Sequence, residues 1–184
     1  MNIQEAINNR RTAHKWNPTL VPESVLFNAL EAAQMAPCHR LTWPWRFTIP
    51  GPDVRQNLYE LSVQLKAAKM DTEPTDFLRK TMREKTLNPA LIVVSQVLSG
   101  SENQRKEDYA ACACAIQNLC LSVTADGYQS KWSTGGLTRD ETSYALLNIP
   151  TNEEVVGFIW IGEPKRISST PPRTALEELV RRTP

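Results

Sequence analysis

At 184 residues, 41% of them hydrophobic, with 21 Lys plus Arg against 20 Asp plus Glu, the chain has enough apolar residues for one core and a net charge of +1. That composition excludes a disordered chain, and the charge balance excludes a global field for nucleic acid or an anionic membrane. No apolar signal core opens "MNIQEAINNRR", and "YAACACAIQNLCLSVTA" is too short and too punctuated for a membrane span, so a single cytoplasmic domain over residues 1–184 is expected.

Asn2 with Glu5 forms a capping box and Ile3 and Ile7 share a face, which predicts a short helix over 3–10 delivering "NNRRTAHKW" at its end. Pro22 opens a second helix whose stripe is Val25, Leu26, Ala29, Leu30 and Ala33, running down to Met35. "WRFTI" reads as a short strand closed by Pro50 and Gly51. Behind Pro52, residues Val54, Leu58, Leu61, Leu65 and Ala68 repeat at helical spacing, and a looser helix follows near 75–85.

"ALIVVSQV" is a continuous apolar run, as in a strand covered on both faces. "SENQRKED" reads as a solvated connection, and residues 107–126, apolar almost all round, as a helix buried in the core or between subunits, with a homodimer as the economical expectation. "DGYQSKWSTGG" reads as a strand entering a glycine-rich turn. Thr138 with Glu141 reads as a capping box for a further helix, "EEVVGFIWIG" as a second buried strand and "PPRTALEELVRR" as a tail with an amphipathic end. The regular rhythm of a doubly wound fold is missing, so an α+β layered architecture is expected.

Cys38, Cys112, Cys114 and Cys120 read as small buried thiols. Helical spacing puts Cys112 and Cys114 on different faces, and no CxxC with a nearby His supports a metal.

Three polar constellations carry candidate chemistry. Arg10, Arg11, Thr12, His14 and Lys15 suit a phosphate, because guanidinium forks bind it bidentately and a hydroxyl adds a contact; a solvated basic turn is the plain alternative. Cys38, His39 and Arg40 stand with Trp43 and Trp45 in a polar and aromatic turn, where a satisfied structural histidine and a core tryptophan are the plain alternative. Trp132, Ser133, Thr134, Gly135 and Gly136 form a turn whose glycines let a backbone N–H approach a planar ligand, or an ordinary turn. No HExxH, GxSxG, GxGxxG or phosphate-loop motif supplies a catalytic side chain or a metal site, which places the chemistry in a cofactor.

In order, "RRTAHKWNP", "AAQMAPCHRLTWPWRFTI", "NPALIVVSQ", "DYAACACAIQNLCLSVTADGYQSKWSTGG", "LLNIPTNEEVVGFIWIGEP" and "PPRTALEELV" resemble the successive blocks of the FMN-dependent nitroreductase family, most closely its compact, YdjA-like branch. The resemblance implies an α+β nitroreductase-like fold, a mostly antiparallel central sheet flanked by helices, and an intertwined homodimer with two FMN sites lined by both chains. It implies that Arg10, Arg11 and Thr12 meet the FMN phosphate and ribityl with His14 nearby, and that Met35, Cys38, His39 and Leu41 approach the partner's flavin. Trp132, Ser133 and Thr134 then lie along the isoalloxazine, Arg173 at the phosphate, with Lys131 and Arg40 as candidate charges near the ring. Leu41 and Trp43 stand where many relatives carry Asn and Gln, so the site's contacts and substrate preference differ.

The implied activity is ping-pong hydride transfer from NADPH or NADH through flavin N5 to a nitroaromatic, quinone or similar small-molecule acceptor. Alternatives are a dehalogenase, dehydrogenase or flavin-handling enzyme on the same fold, or a flavin-binding module with little turnover; no nucleic-acid or membrane partner is implied.

Overall fold

The protein is described by a computed structural model covering residues 1–183. Its elements are α1 (Ile3–Asn9), α2 (Glu23–Gln34), β1 (Trp45–Thr48), α3 (Pro52–Lys69), α4 (Asp76–Thr86), β2 (Ala90–Val97), α5 (Glu102–Ala125), β3 (Gln129–Ser133), α6 (Glu141–Leu146), β4 (Glu153–Gly162) and α7 (Leu176–Leu179). The expected capping box forms: the Asn2 side chain accepts from the Glu5 N–H and the Glu5 carboxylate accepts from the Asn2 N–H, each at 2.9 Å.

The four strands pair antiparallel in the order β1-β2-β4-β3. Alternation along β2 and β4 sends Ile92, Val94, Ile159 and Ile161 into a core shared with α2 and α5. Leu91, Val93, Phe158 and Trp160 face the opposite way, into a core with Leu58 of α3 and Trp16. Both faces are therefore covered, which is why these two strands are apolar without interruption. On the second face Arg55 is half-buried. Its guanidinium donates to the carbonyls of Thr86 and Pro89 and lies 5.7 Å from the Trp160 ring centroid. Burial pushes its pKa down to about 10, and the contacts tie α3 to the end of α4 beside the sheet.

Several expectations are corrected. "SENQRKED" is not a connection but the first turns of α5, capped by Ser101, whose hydroxyl accepts from the Gln104 N–H at 3.4 Å. Glu102, Arg105, Lys106 and Glu107 are exposed while Gln104 and Asp108 are buried. Asp140, not Thr138, caps α6 by accepting from the Thr142 N–H at 2.9 Å; the Thr138 hydroxyl donates to the Gly135 carbonyl at 2.8 Å. The tail is helical only at Leu176–Leu179 and is exposed. Most apolar positions of α5 are buried within the chain itself, against α2 and the sheet. A stripe of Ala110, Cys114 and Gln117 stays open.

Cys112 and Cys120 are buried as expected, whereas Cys114 is exposed and Cys38 half-buried; all four are free thiols. Burial, then the charge of Asp108, pushes Cys112 up to about 12, and burial raises Cys120 as well. Alkylation at pH 8 is expected to spare Cys112 and Cys120 in the native protein and reach both in urea, as read by peptide mass spectrometry.

Candidate functional site

The segment leaving α1 runs alongside β3. The Arg11 N–H donates to Gln129 Oε1 at 2.8 Å, the Ala13 N–H donates to the Ser130 carbonyl at 3.2 Å, and Thr12 bridges Ser130 in parallel. On its other side lies the chain beyond β4: the Lys165 N–H donates to the Lys15 carbonyl at 3.0 Å and the Ser168 hydroxyl to the Thr12 carbonyl at 3.3 Å. Arg11 is committed to this clasp, donating to the carbonyls of Asn8 and Arg10 and to the Thr170 hydroxyl. The Arg10 side chain has no hydrogen-bond partner or acidic neighbour in a salt bridge among the described residues. One unneutralised guanidinium beside the exposed Thr12 is a donor set suited to a phosphate.

Further along β3, the Trp132 indole lies over Gly157 of β4 and donates to the Val156 carbonyl at 3.2 Å. A Cβ at Gly157 would fall inside the indole, so the glycine is what lets the ring settle there. Beyond it, Ser133, Gly135 and Gly136 border a cleft of about 270 Å³. Its floor is apolar, with Leu65, Met82, Phe158 and Trp160, while Lys66, Lys69, Lys85 and Lys131 stand around it without a carboxylate. Burial, and then the neighbouring Lys85, pushes the Lys131 ammonium below the usual lysine range. An apolar lining with several ammonium groups and no carboxylate suits a planar heteroaromatic whose edge carries or gains negative charge.

The turn between α2 and β1 has three non-glycine residues in the left-handed region, Arg40 (φ 59°), Leu41 (φ 53°) and Trp43 (φ 46°). Such conformations cost about 1–3 kcal/mol each and persist only where the surroundings hold them. Here Cys38 Sγ accepts the Trp43 N–H at 3.3 Å, and the Thr42 hydroxyl donates to the buried Asp108 of α5 at 2.6 Å. Gln104 donates to the same carboxylate oxygen at 3.0 Å. Removing the carboxylate in Asp108→Ala strands two donors and is expected to cost about 1–3 kcal/mol. Thr42→Val added to that variant should cost much less than it does alone, a non-additivity read from urea denaturation.

The nitroreductase family model matches residues 7–163. The chain belongs to the nitroreductase family. Among relatives of this nitroreductase-family chain, "Putative NAD(P)H nitroreductase YfhC" of Bacillus subtilis (strain 168) is 26% identical over 180 residues, 96% of this chain and 91% of that protein. The Escherichia coli (strain K12) YdjA, of the same description, is 25% identical over 171 residues, 92% of each. In fold, the chain superposes along its whole length on all of an FMN and NADPH-dependent nitroreductase, NfnB of sphigopyxis sp. strain HMH, with a TM-score of 0.80 at 16% identity.

In this nitroreductase-family chain two of the three sequence constellations meet: Arg10, Arg11, Thr12 and His14 lie beside β3, which carries Trp132 and Ser133 and leads into Thr134. Arg173 follows the segment that crosses Thr12, three residues beyond Thr170. Met35, Cys38, His39 and Leu41 do not join them within the chain. They do not line the cleft at the end of β3, and their turn is fastened to α5, where exposed His39 stands 3.9 Å from Glu107. Lys66, Lys69 and Lys85 are site residues that sequence reasoning missed, as they lie on helices remote in sequence from the turn. Their spacing on amphipathic helices reads as a solvated face, and Lys66 and Lys69 are indeed exposed at the cleft edge, with Lys85 half-buried. Among the described residues no group of three or more His, Cys, Asp or Glu could hold a metal, and no helix is long and apolar enough to cross a membrane.

Proposed function

We propose that the chain, one flavin-binding unit over residues 1–184, acts in the cytoplasm as a homodimeric FMN-dependent NAD(P)H oxidoreductase reducing small electron acceptors. The observation that carries this is the apolar, lysine-lined cleft at the end of β3, the strand along which the segment beginning at Arg10 runs, with the Arg10 side chain unpaired among the described residues. The FMN and NADPH dependence in NfnB's description and the NAD(P)H nitroreductase descriptions of YfhC and YdjA support it.

When bound, FMN supplies two-electron transfer between a nicotinamide nucleotide and an acceptor. Arg10 and Thr12 would hold its phosphate, with Arg11 bracing the segment between them and His14 and Arg173 close by. Trp132, Ser133 and Thr134 bound the ring, and the backbone of the glycine turn is open to approach it closely. Lys85 and Lys131 offset negative charge gained at the ring edge. The turn bearing Met35, Cys38, His39 and Leu41 serves the partner's ring, which accounts for a strained and well-fastened turn with no counterpart across its own chain.

Pairing is supported by the small residues of the open α5 stripe, which allow close helix approach, and by a shallow cleft lined by Ile3 and Met35, 67% and 78% exposed.

The test is a visible spectrum of the protein reconstituted with FMN, rescanned with NADPH or NADH without air, alongside a light-scattering mass. Retained flavin that bleaches, in a particle of two chains, is expected; no retained flavin would overturn the reading. Lys131→Met is expected to move the flavin potential to more negative values, read against a dye of known potential. Because the protonated ammonium gives the stabilisation, the difference from the unaltered protein should shrink as pH rises through the depressed Lys131 value.

A further inference from the structure

Next to the cleft at the end of β3 lies a smaller one, of about 220 Å³, lined by Lys15, Phe77, Lys80, Thr81, Glu84 and Lys85. Lys85 of α4 stands in the wall of both, so the two clefts adjoin. The smaller one has a single carboxylate, Glu84, and Lys165 occupies it, its ammonium donating to Glu84 Oε1 at 3.0 Å. That hydrogen bond, and then the charges of Lys165, Lys15 and Lys80, hold the Glu84 carboxyl below the usual carboxylate range. Lys15, Lys80 and Lys85 are left without a salt bridge among the described residues. Three ammonium groups around one cleft therefore lack a counter-charge.

A second observation points to a ligand. Phe77 stands among these lysines and is 80% exposed. The packing of α4 does not use it, since Leu78 and Met82 are the residues that meet Tyr59 and Val63 of α3. Phe77 and Lys80, three residues apart on one helix face, present a bare ring beside a free cation. A ring of this kind stacks on a purine base, and ammonium groups beside it suit a phosphate that the base carries.

We propose that this cleft takes the adenosine end of the electron donor, with its 2′-phosphate, and so selects NADPH over NADH. The proposal rests on the flavin reading above, which brings the nicotinamide end to the adjoining cleft. The two nucleotides differ only in that phosphate, so contacts with nicotinamide, riboses and pyrophosphate favour neither. Discrimination has to come from the cations that the 2′-phosphate meets. Lys80 and Lys15 are exposed and Lys85 half-buried, so salt screens the preference. Phe77 stacks the adenine, which both nucleotides share.

The test uses the FMN-loaded protein and two probes that differ by the 2′-phosphate alone, adenosine 2′,5′-bisphosphate and adenosine 5′-monophosphate. Titration calorimetry at low salt is expected to give a Kd roughly tenfold or more lower for the bisphosphate, the product of several exposed contacts each worth up to about fivefold. Lys80→Gln should reduce that ratio by about 3- to 5-fold while leaving flavin bleaching by NADH unchanged. Phe77→Ala should weaken both probes alike and preserve the ratio. For the unaltered protein the ratio should contract in about 0.5 M salt, and without air NADPH should bleach the flavin at lower concentration than NADH. Equal affinity for the two probes, or a ratio that neither Lys80→Gln nor salt changes, would overturn the proposal while the flavin reading stands, provided either nucleotide bleaches the flavin. Flavin that neither bleaches would remove that reading and the proposal with it.

Discussion

Replacing Arg10 by alanine is expected to weaken FMN binding by roughly 10- to 150-fold, the loss of one charge-assisted contact worth about 1.5–3 kcal/mol. Arg10 and Arg11 are adjacent and chemically identical, yet the structure gives them different work. Arg11 is spent on the Asn8, Arg10 and Thr170 oxygens, while Arg10 has no protein partner among the described residues. Arg11→Ala should therefore cost less FMN affinity and instead loosen residues 168–170, exposing them to protease. Titration by quenching of FMN fluorescence checks both. An unchanged affinity in Arg10→Ala would remove the phosphate assignment from that residue, and an unchanged affinity in both variants would remove it from the segment.

Gly157→Ala is the second large effect. One methyl group on β4 would overlap the Trp132 indole, and the ring has no small adjustment available while its N–H stays on the Val156 carbonyl. The overlap is expected to cost about 1–3 kcal/mol by overpacking, or to drive the indole out of its seat. At roughly 2–4 °C of melting midpoint per kcal/mol for a chain of this size, calorimetry will register it. Pairing it with Trp132→Ala separates the outcomes: the double variant should be little worse than Trp132→Ala alone, because the added methyl then meets only the Ser133 carbonyl oxygen, at 3.3 Å. A fully additive double variant would show that the indole is not seated over this glycine in solution.

Legibility in the sequence followed burial. The bounds of β2 and β4 coincide with "ALIVVSQV" and "EEVVGFIWIG" because both faces of each strand are covered, leaving no polar alternation to blur their ends. The start of α5 was obscured for the opposite reason: its first turns project charged side chains into solvent, and only Gln104 and Asp108 turn inward. At α6, Thr138 and Asp140 are both competent caps by type, and the glycine turn decides between them by drawing the Thr138 hydroxyl to Gly135. In the site, clustered residues such as Arg10–Thr12 and Trp132–Thr134 were visible because their chemistry is local. Asp108, the grouping of Lys66, Lys69 and Lys85 with Lys131 and the role of Gly157 were not, since each gains meaning from a partner far along the chain. Gly157 resembles any strand glycine until Trp132 is known to lie across it.

The pairing of β2 with β4 has a consequence for how the chain is made. These central strands are separated by everything from Leu98 to Asn152, so during synthesis "ALIVVSQV" leaves the ribosome well before its partner exists. Only the four-residue β1 can cover one of its edges in the interval. Until residue 162 emerges, the most apolar segment of the sheet has an open hydrogen-bonding edge, the configuration most prone to pair with another unfinished chain. A nascent chain stalled between α5 and β4 should accordingly be the aggregation-prone and chaperone-dependent species, and the speed at which the ribosome reads the stretch up to β4 sets how long that exposure lasts.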